Sequence, residues 1–382
     1  MIAINYEPII ENESERAFYE EKHTHILNHL TSFNDATFWQ IVREVGGSDR
    51  RTLRLLNQMV KIGELEFSPT NKKFNLPNKK EEYQFSSIER IRCGECGGKM
   101  VNLWRDYLLT SQTLEKIYTK KPTPTFLFDQ RPVTFETTER RAAYLLMRGD
   151  LIGKEIVFIG DDDLTSLAIA LTQKAKRVVV FDIDMRLIDF INNVAKEENI
   201  ALEAHMYDLT KHIPNEFSGK FDVFLTDPTP NREMFSLFVS IGLMLLKGGK
   251  DKIGYVSFFP SHQERSLDFQ EVLTENKLIV TDMIPQFTEY DFLKTTYKEK
   301  DLELLKEFDS GEQRLSFHEN FTRFETTEET PRKVVKLNPE FLKVPKATRR
   351  VLKDLSKDPA YASGEVEFVK GIAKKMMGVE NE

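Results

Sequence analysis

The run Gly160-Asp161-Asp162-Asp163 stands where the chain must turn from a strand into a helix, and it constrains the fold more than any other segment. Glu155-Ile156-Val157-Phe158-Ile159 before it reads as a buried parallel strand, and Leu164 to Lys174 after it reads as a helix. A strand, a tight turn and a helix form one wall of the crevice in which open α/β sheets bind ligands. The sign of this turn is unusual. A helix N-terminus carries partial positive charge and ordinarily receives an anion, whereas three adjacent carboxylates repel an anion and attract a cation. Helix capping accounts for one aspartate well and for three poorly. The turn therefore points to a cationic ligand.

A length of 382 residues leaves room for more than one domain, and the 40% hydrophobic content suits ordinary globular packing. No stretch approaches the roughly 20 apolar residues that span a bilayer. The first thirty residues, with Glu11, Glu13, Glu15, Glu20 and Glu21, are too acidic for a signal peptide, so no membrane partner and a cytoplasmic location are expected. Two cysteines exclude a disulfide framework, and a net charge of -7 makes a nucleic-acid partner unlikely to be held by charge alone. The abundance of Phe, Lys and Glu is compatible with a thermophilic source.

A basic, proline-punctuated segment from Thr119 to Thr125 cannot continue a helix and suits a linker, which sets the expected domains at 1–122 and 123–382. Upstream, Thr37 to Val45 reads as a helix broken by Gly46-Gly47. Ser48 can cap a second helix from Asp49 to Ile62, ended by Gly63. Glu64 to Phe67 and Lys73 to Leu76 alternate like a small hairpin. Helix, turn, helix and hairpin together resemble a winged helix. Such a module binds DNA through its second helix, where Arg50, Arg51 and Arg54 cluster, or serves in dimerisation.

Cys93-Gly94-Glu95-Cys96-Gly97-Gly98 has the spacing of one knuckle of a zinc ribbon, in which two thiolates face one tetrahedral metal. A second knuckle is absent. Zinc at Cys93 and Cys96 would need two more ligands, from His23, His25 or His29 or from a partner chain, and a turn that binds no metal is the favoured reading.

In the second half, Arg177 to Phe181 reads as the next strand, with Asp182-Ile183-Asp184 at its carboxyl end. Asp182 lies 22 residues beyond Gly160, where a doubly wound sheet places an acid that accepts hydrogen bonds from ribose. Asp182 or Asp184 is thus a candidate for holding an adenosine, although either can equally cap the following helix. His205 to Asp208 is a weaker candidate for the adenine edge. The strand Phe221 to Thr226 then ends in Asp227-Pro228-Thr229-Pro230-Asn231, which sets Asp227 toward the reaction centre.

Two enzyme classes place an acidic or amide residue at this point: amine methyltransferases, with an Asn/Asp-Pro-Pro-aromatic turn, and aminopropyltransferases, with an aspartate that receives an amine. An amine with a pKa of about 10 is mostly protonated, so a carboxylate must bind, orient and help deprotonate it. Asn231 replaces the aromatic residue of the methyltransferase turn. S-adenosylmethionine carries a carboxylate, whereas its decarboxylated form is wholly cationic. A like-charge contact at about 4 Å costs on the order of several kcal/mol, which favours the decarboxylated donor at Asp161 to Asp163 unless a cation intervenes. A linear polyamine gains from the same field.

Several segments together resemble the branched-chain polyamine synthases. They are Phe128 to Thr134 with Thr137 to Arg141, Gly149 to Lys154, Gly160 to Ser166, Val180 to Asp184 and Asp227-Pro228. The resemblance implies a winged-helix-like domain followed by a Rossmann-like catalytic domain of the class I methyltransferase type. It also implies transfer of aminopropyl groups from decarboxylated S-adenosylmethionine to the secondary amine of spermidine, with release of methylthioadenosine and no required cofactor. A homodimer is expected on the same ground. In that reading Asp161, Asp162, Asp163 and Asp227 hold the substrate's ammonium groups, and Asp163 or Asp227, with Asp162, activates the amine. Gln130 contacts the substrate or its loop. Gly160, Thr165, Asp182, Asp184 and Asp208 serve the donor, and Glu139 is expected in a surface ion pair.

The charged stretch Phe287 to Lys333 reads as an insertion, a lid or a dimer arm. Lys346 to Leu355 and Glu365 to Met377 read as amphipathic helices. Two other functions stay open on sequence alone: a methyltransferase acting on an amine or a nucleic-acid base, and a winged-helix regulator that senses a polyamine or nucleoside.

Overall fold

A computed structural model describes residues 5–10, 15–77, 93, 96–102, 108–125, 128, 130–209, 213–229, 231–260, 263–292, 297–312 and 314–335. The helices expected from Lys346 and from Glu365, with Met376-Met377, lie outside the described residues.

The N-terminal part contains α1 (Arg16–Ser32), β1 (Ala36–Thr37), α2 (Phe38–Val45), α3 (Asp49–Lys61), β2 (Glu66–Ser68) and β3 (Lys73–Asn75), with the strands in the order β1-β3-β2. Thr37 starts α2 with a capping box: its side chain accepts from Gln40 N, and the Gln40 side chain accepts from Thr37 N. Gly46 and Gly47 then turn the chain at positive φ. A Cβ on Gly47 would stand 2.6 Å from the Phe18 ring, so only glycine fits there. The two helices and the hairpin from Phe38 to Asn75 occur as expected from sequence, while α1 and β1 were not anticipated.

The remainder is built on a seven-stranded sheet in the order β6-β5-β4-β7-β8-β10-β9. Its strands are β4 (Glu155–Ile159), β5 (Arg177–Asp182), β6 (Leu202–Met206), β7 (Val223–Thr226), β8 (Ile253–Phe258), β9 (Ile279–Asp291) and β10 (Leu315–Glu325). The first five in spatial order are parallel, and β10 runs antiparallel to both β8 and β9. This is the Rossmann-like, class I methyltransferase-type order.

Alternation along β4 shows why the strand reads as a continuous apolar run. Ile156 and Phe158 pack under α5 (Phe135–Arg148), α6 (Thr165–Leu171) and α7 (Met185–Glu197), while Val157 and Ile159 pack on α8 (Arg232–Leu245) and α9 (Gln263–Glu275). The chain leaves β4 in one direction to β5 and β6 and returns to β7 on the other side. The crevice at the carboxyl ends of β4 and β7 is thus the topological switch point.

Packing cuts across the expected division near residue 122. Val101 and α4 (Leu108–Tyr118), through Leu114 and Ile117, join the hydrophobic core of the seven-stranded sheet. The stretch from Phe287 is not an appended arm. It supplies the end of β9, α10 (Glu299–Phe308) and β10, and α10 inserts Leu305 and Phe308 into the N-terminal hydrophobic cluster. Its charge misled the sequence reading because several of its charged residues, Glu289, Asp301, Glu319 and Arg323 among them, are buried. No helix among the described residues is long and apolar enough to cross a membrane.

The arginines of α3 are used inside the molecule. Arg54 is buried and pairs with Asp301 of α10, Nη2 to Oδ2 2.6 Å, and Arg51 donates to Glu15 at 2.9 Å. Both are thereby withdrawn from the groove-reading role that a DNA-binding helix requires. Glu139 is likewise not in a surface ion pair: it is 5% exposed on α5, and burial raises its pKa.

Candidate active site

The turn after β4 divides the three aspartates among different tasks. Gly160 takes φ +74° and donates its N–H to Phe181 O at 2.8 Å, which bends the chain toward β5. Asp161 N donates to Asp182 Oδ2 at 3.2 Å. The Asp161 carboxylate turns inward and accepts from Thr165 N at 2.9 Å and Ser166 N at 3.0 Å. Asp161 is therefore the aspartate that caps α6, and both its oxygens are spent there. Burial raises its pKa well above the usual range.

Asp163 faces the other way. It is 3% exposed, and its Oδ2 lies 2.6 Å from Arg141 Nη1. Thr138 of α5 donates its hydroxyl to Asp163 O at 2.8 Å, so α5 and the turn are locked together. Between these two, Asp162 has no internal donor for Oδ2, although that atom is sealed from solvent. Burial first, then the nearby Asp163 and Asp182, push the Asp162 carboxyl well above the usual carboxylate range.

Arg141 ties the turn to β7. Completely buried, it donates to Asp227 Oδ2 at 2.5 Å, to Ser257 Oγ at 3.0 Å and to Thr288 Oγ1 at 3.2 Å, besides Asp163. Burial works against its charge, but Asp227 and Asp163 hold it firmly protonated. Tyr290 of β9 adds a hydroxyl donor to Asp227 Oδ2 at 2.8 Å, and its ring stacks on Phe317 with centroids 4.2 Å apart. Asp227 keeps 16% of its side chain exposed, more than either Asp163 at 5% or Arg141 at 1%, so it is the open end of this network.

Sequence reasoning included Arg141 only as part of a motif and did not anticipate its bridging role. The signal was present as an arginine on an otherwise inward-facing stripe of α5. Tyr290 and Glu319 were missed, since nothing in the local pattern of β9 or β10 marks them as facing a crevice. Glu319, on β10, is 3% exposed and stands beside Asp227 and Tyr290.

The donor-side candidates are also brought together, with differing freedom. Asp182 Oδ1 accepts from Asp184 N at 2.9 Å, and burial pushes its pKa up to about 6. Asp184 caps α7, accepting from Arg186 N at 3.0 Å, and pairs with the Arg186 guanidinium at 2.7 Å. Gln130 spans from Thr125 N, accepted at 2.9 Å, to Asp184 Oδ2, donated at 3.0 Å. Gln130 and Asp184 thus tie Thr125 to the start of α7. Thr165 is fully buried and its hydroxyl has no partner. Asp208 follows β6 and is partly exposed.

The acidic field is less one-sided than the sequence suggests. Besides Arg141, Lys121 lies over the Tyr118 ring, 3.7 Å from its centroid, facing Asp163 and Asp162. Burial lowers its pKa. A cation does stand near the turn, so donor discrimination cannot rest on the three aspartates alone.

Gly97 N donates to Cys93 O at 2.9 Å, and no group of three or more His, Cys, Asp or Glu among the described residues could hold a metal. His23, one expected ligand, instead lies 2.9 Å from Glu64. A cavity of about 450 Å³ beside Gly46, Leu267, Gln286 and His318 shares no lining residue with the carboxylate cluster.

A switch-point crevice lined by Asp162, Asp163 and Asp227, with Asp182 at the end of β5, sits on a class I methyltransferase-type sheet, and the similar named synthases make the class a transferase. The family description "Branched-chain polyamine synthase A C-terminal domain" matches residues 110–339. The chain belongs to the branched-chain polyamine synthase family. It is 33% identical to N(4)-bis(aminopropyl)spermidine synthase of Methanocaldococcus jannaschii over 73% of this chain and 80% of that one. It is 43% identical to the enzyme of the same name from Thermus thermophilus over 43% of this chain and 48% of that one. The solved Thermus thermophilus branched-chain polyamine synthase, in complex with N4-aminopropylspermidine and 5′-methylthioadenosine, superposes with a TM-score of 0.68 and 27% identity. That match covers 85% of this chain and 94% of the other.

Proposed function

We propose that this chain is an aminopropyltransferase acting on spermidine with decarboxylated S-adenosylmethionine as donor. A first transfer gives N4-aminopropylspermidine, and a second gives N4-bis(aminopropyl)spermidine, with 5′-methylthioadenosine released each time. The observation that carries this reading is the similar solved enzyme, which holds a singly aminopropylated spermidine and methylthioadenosine. Family membership and the acidic switch-point crevice support it. A cytoplasmic homodimer that needs no metal is part of the same reading.

Chemically, the central nitrogen of spermidine must give up a proton before it can attack. The N–H bond then breaks toward a carboxylate, the new N–C bond forms at the methylene next to the sulfonium, and the C–S bond breaks with its electron pair staying on sulfur. In our reading Asp227 receives that proton, because it is the acid with an open side. Asp162, with its unpartnered oxygen, holds a neighbouring ammonium. Asp163 and Arg141 fix Asp227 in place, and Asp161 shapes the turn. Asp182 holds the ribose, with Gly160, Thr165 and Asp208 around the nucleoside. Positioning of two bound reactants supplies most of the rate.

Mass spectrometry of reactions with spermidine tests this, with decarboxylated S-adenosylmethionine in one tube and S-adenosylmethionine in another. Methylthioadenosine and a branched, aminopropylated product only in the first is the expected result. Methylated polyamine in the second would replace this reading with an amine methyltransferase.

A further inference from the structure

The buried acid Glu319 has no place in the scheme above, and its surroundings give it one. It pairs in register with Thr288, so the two side chains lie on the same face of the β9–β10 ladder, and Thr288 accepts from Arg141. Register shifts interrupt β10 on both sides of His318-Glu319. β10 is an interior strand between β8 and β9, so His318 and Glu319, which alternate in direction, are both buried, at 2% and 3% exposure.

The charged and titratable groups facing Glu319 come from three elements: Asp227 after β7, Tyr290 on β9 and Arg141 on α5. Arg141 is already committed to Asp163 and Asp227. A further carboxylate beside Asp227 would have no cation of its own among these groups. Oε2 of Glu319 is buried without a partner. Two carboxylates cannot hydrogen-bond each other, since neither is a donor, so the contact between Glu319 and Asp227 needs a proton.

Resting on the aminopropyltransferase reading, we propose that Glu319 is kept as the neutral acid and donates its proton to Asp227, so that the two carboxyls share one proton and one negative charge beside the attacking amine. Burial first, and then Asp227, push the Glu319 carboxyl well above the usual carboxylate range, in agreement with this arrangement. Glu319 is a positioning residue. It holds Asp227 in one orientation and limits the site to one negative charge. Asp227 then takes the proton from the ammonium, leaving the pair uncharged with two protons, and one of these returns to water after the C–S bond has broken.

Two measurements on the full chain test the pair. Infrared difference spectra of wild type and Glu319→Gln near pH 7, without spermidine, should show the C=O band of a protonated carboxyl in wild type that is missing in the variant. Absence of that band overturns the proposal whether or not the protein turns over spermidine. In the turnover assay, Glu319→Gln keeps a neutral donor and should retain kcat within about threefold at neutral pH while losing the alkaline limb of the wild-type pH profile. Glu319→Ala, checked for an unchanged melting transition, should lower kcat about 10- to 100-fold with little change in the donor's KM. A Glu319→Gln profile that still bends like wild type would also overturn it. Wild-type protein that forms no methylthioadenosine yet shows the carboxyl band would sink the aminopropyltransferase reading and leave the proton-sharing pair standing.

Discussion

Arg141 reaches Asp227 with Nη2 2.5 Å from Oδ2, at the end of β7, while its other terminal nitrogen holds Asp163 beyond the neighbouring β4. One fully buried guanidinium thus sets the spacing of the two acids on either side of the crevice. A lysine has one ammonium and cannot span both in this planar geometry. Arg141→Lys is expected to fold but to lose about 100-fold or more in kcat. Arg141→Met should lower stability by roughly 3–5 kcal/mol, because two buried carboxylates are left without their cation. Turnover and chemical denaturation of both variants check this.

The acids of the crevice should separate cleanly in kinetics. Asp227→Asn is expected to reduce kcat by about 10²–10⁴-fold with an unchanged melting temperature. Asp161→Ala should cost about 0.5–2 kcal/mol of stability through loss of the α6 cap, with the KM for spermidine unchanged. If Asp161→Ala instead raised that KM tenfold at full stability, the division of labour argued above would be wrong.

Asp49, at the start of α3, gives a stability test with a definite sign. It is buried, it accepts from the Tyr297 hydroxyl, and burial pushes its pKa from 3.8 to about 7. Its folded pKa is raised, so its contribution is fully present below about pH 4 and is lost as pH rises through about 7. Asp49→Asn keeps an acceptor for Tyr297 and removes the charge. The variant should match wild type near pH 4 and be more stable at pH 8 by roughly 1–4 kcal/mol. Thermal unfolding across that range reads it out directly.

The buried pair of Arg54 and Asp301 should behave asymmetrically. Asp301→Ala alone is expected to cost about 3–5 kcal/mol, since it strands the arginine, whereas Arg54→Met with Asp301→Leu should cost far less. A double-mutant cycle in which the two single changes simply add would contradict a coupled pair.

Much of the sheet and of the crevice was legible because it depends on local pattern. The apolar run Ile156 to Ile159, the glycine at 160 and the Asp-Pro after Thr226 announce strand, turn and crevice within a few residues of one another. What was hidden depends on distant pairing. Glu139 and Arg54 look like surface charges until α4 and α10 cover them. Tyr290 and Glu319 reach the site only through the register of β9 with β10. The Asp161 carboxylate could be assigned to α6 only once the backbone N–H groups of Thr165 and Ser166 were seen to point at it.

The connection between β9 and β10 carries a last consequence. It leaves the sheet at Asp291, includes α10, and rejoins the sheet at Leu315, and α10 is gripped outside the sheet by Phe67, Phe74 and the Arg54 ion pair. Trp39 donates to Asp309 at the end of the same helix. The N-terminal module is therefore the foundation on which one wall of the reaction chamber stands. An enzyme stripped of it would be left with its acids and no fixed wall to press the amine against.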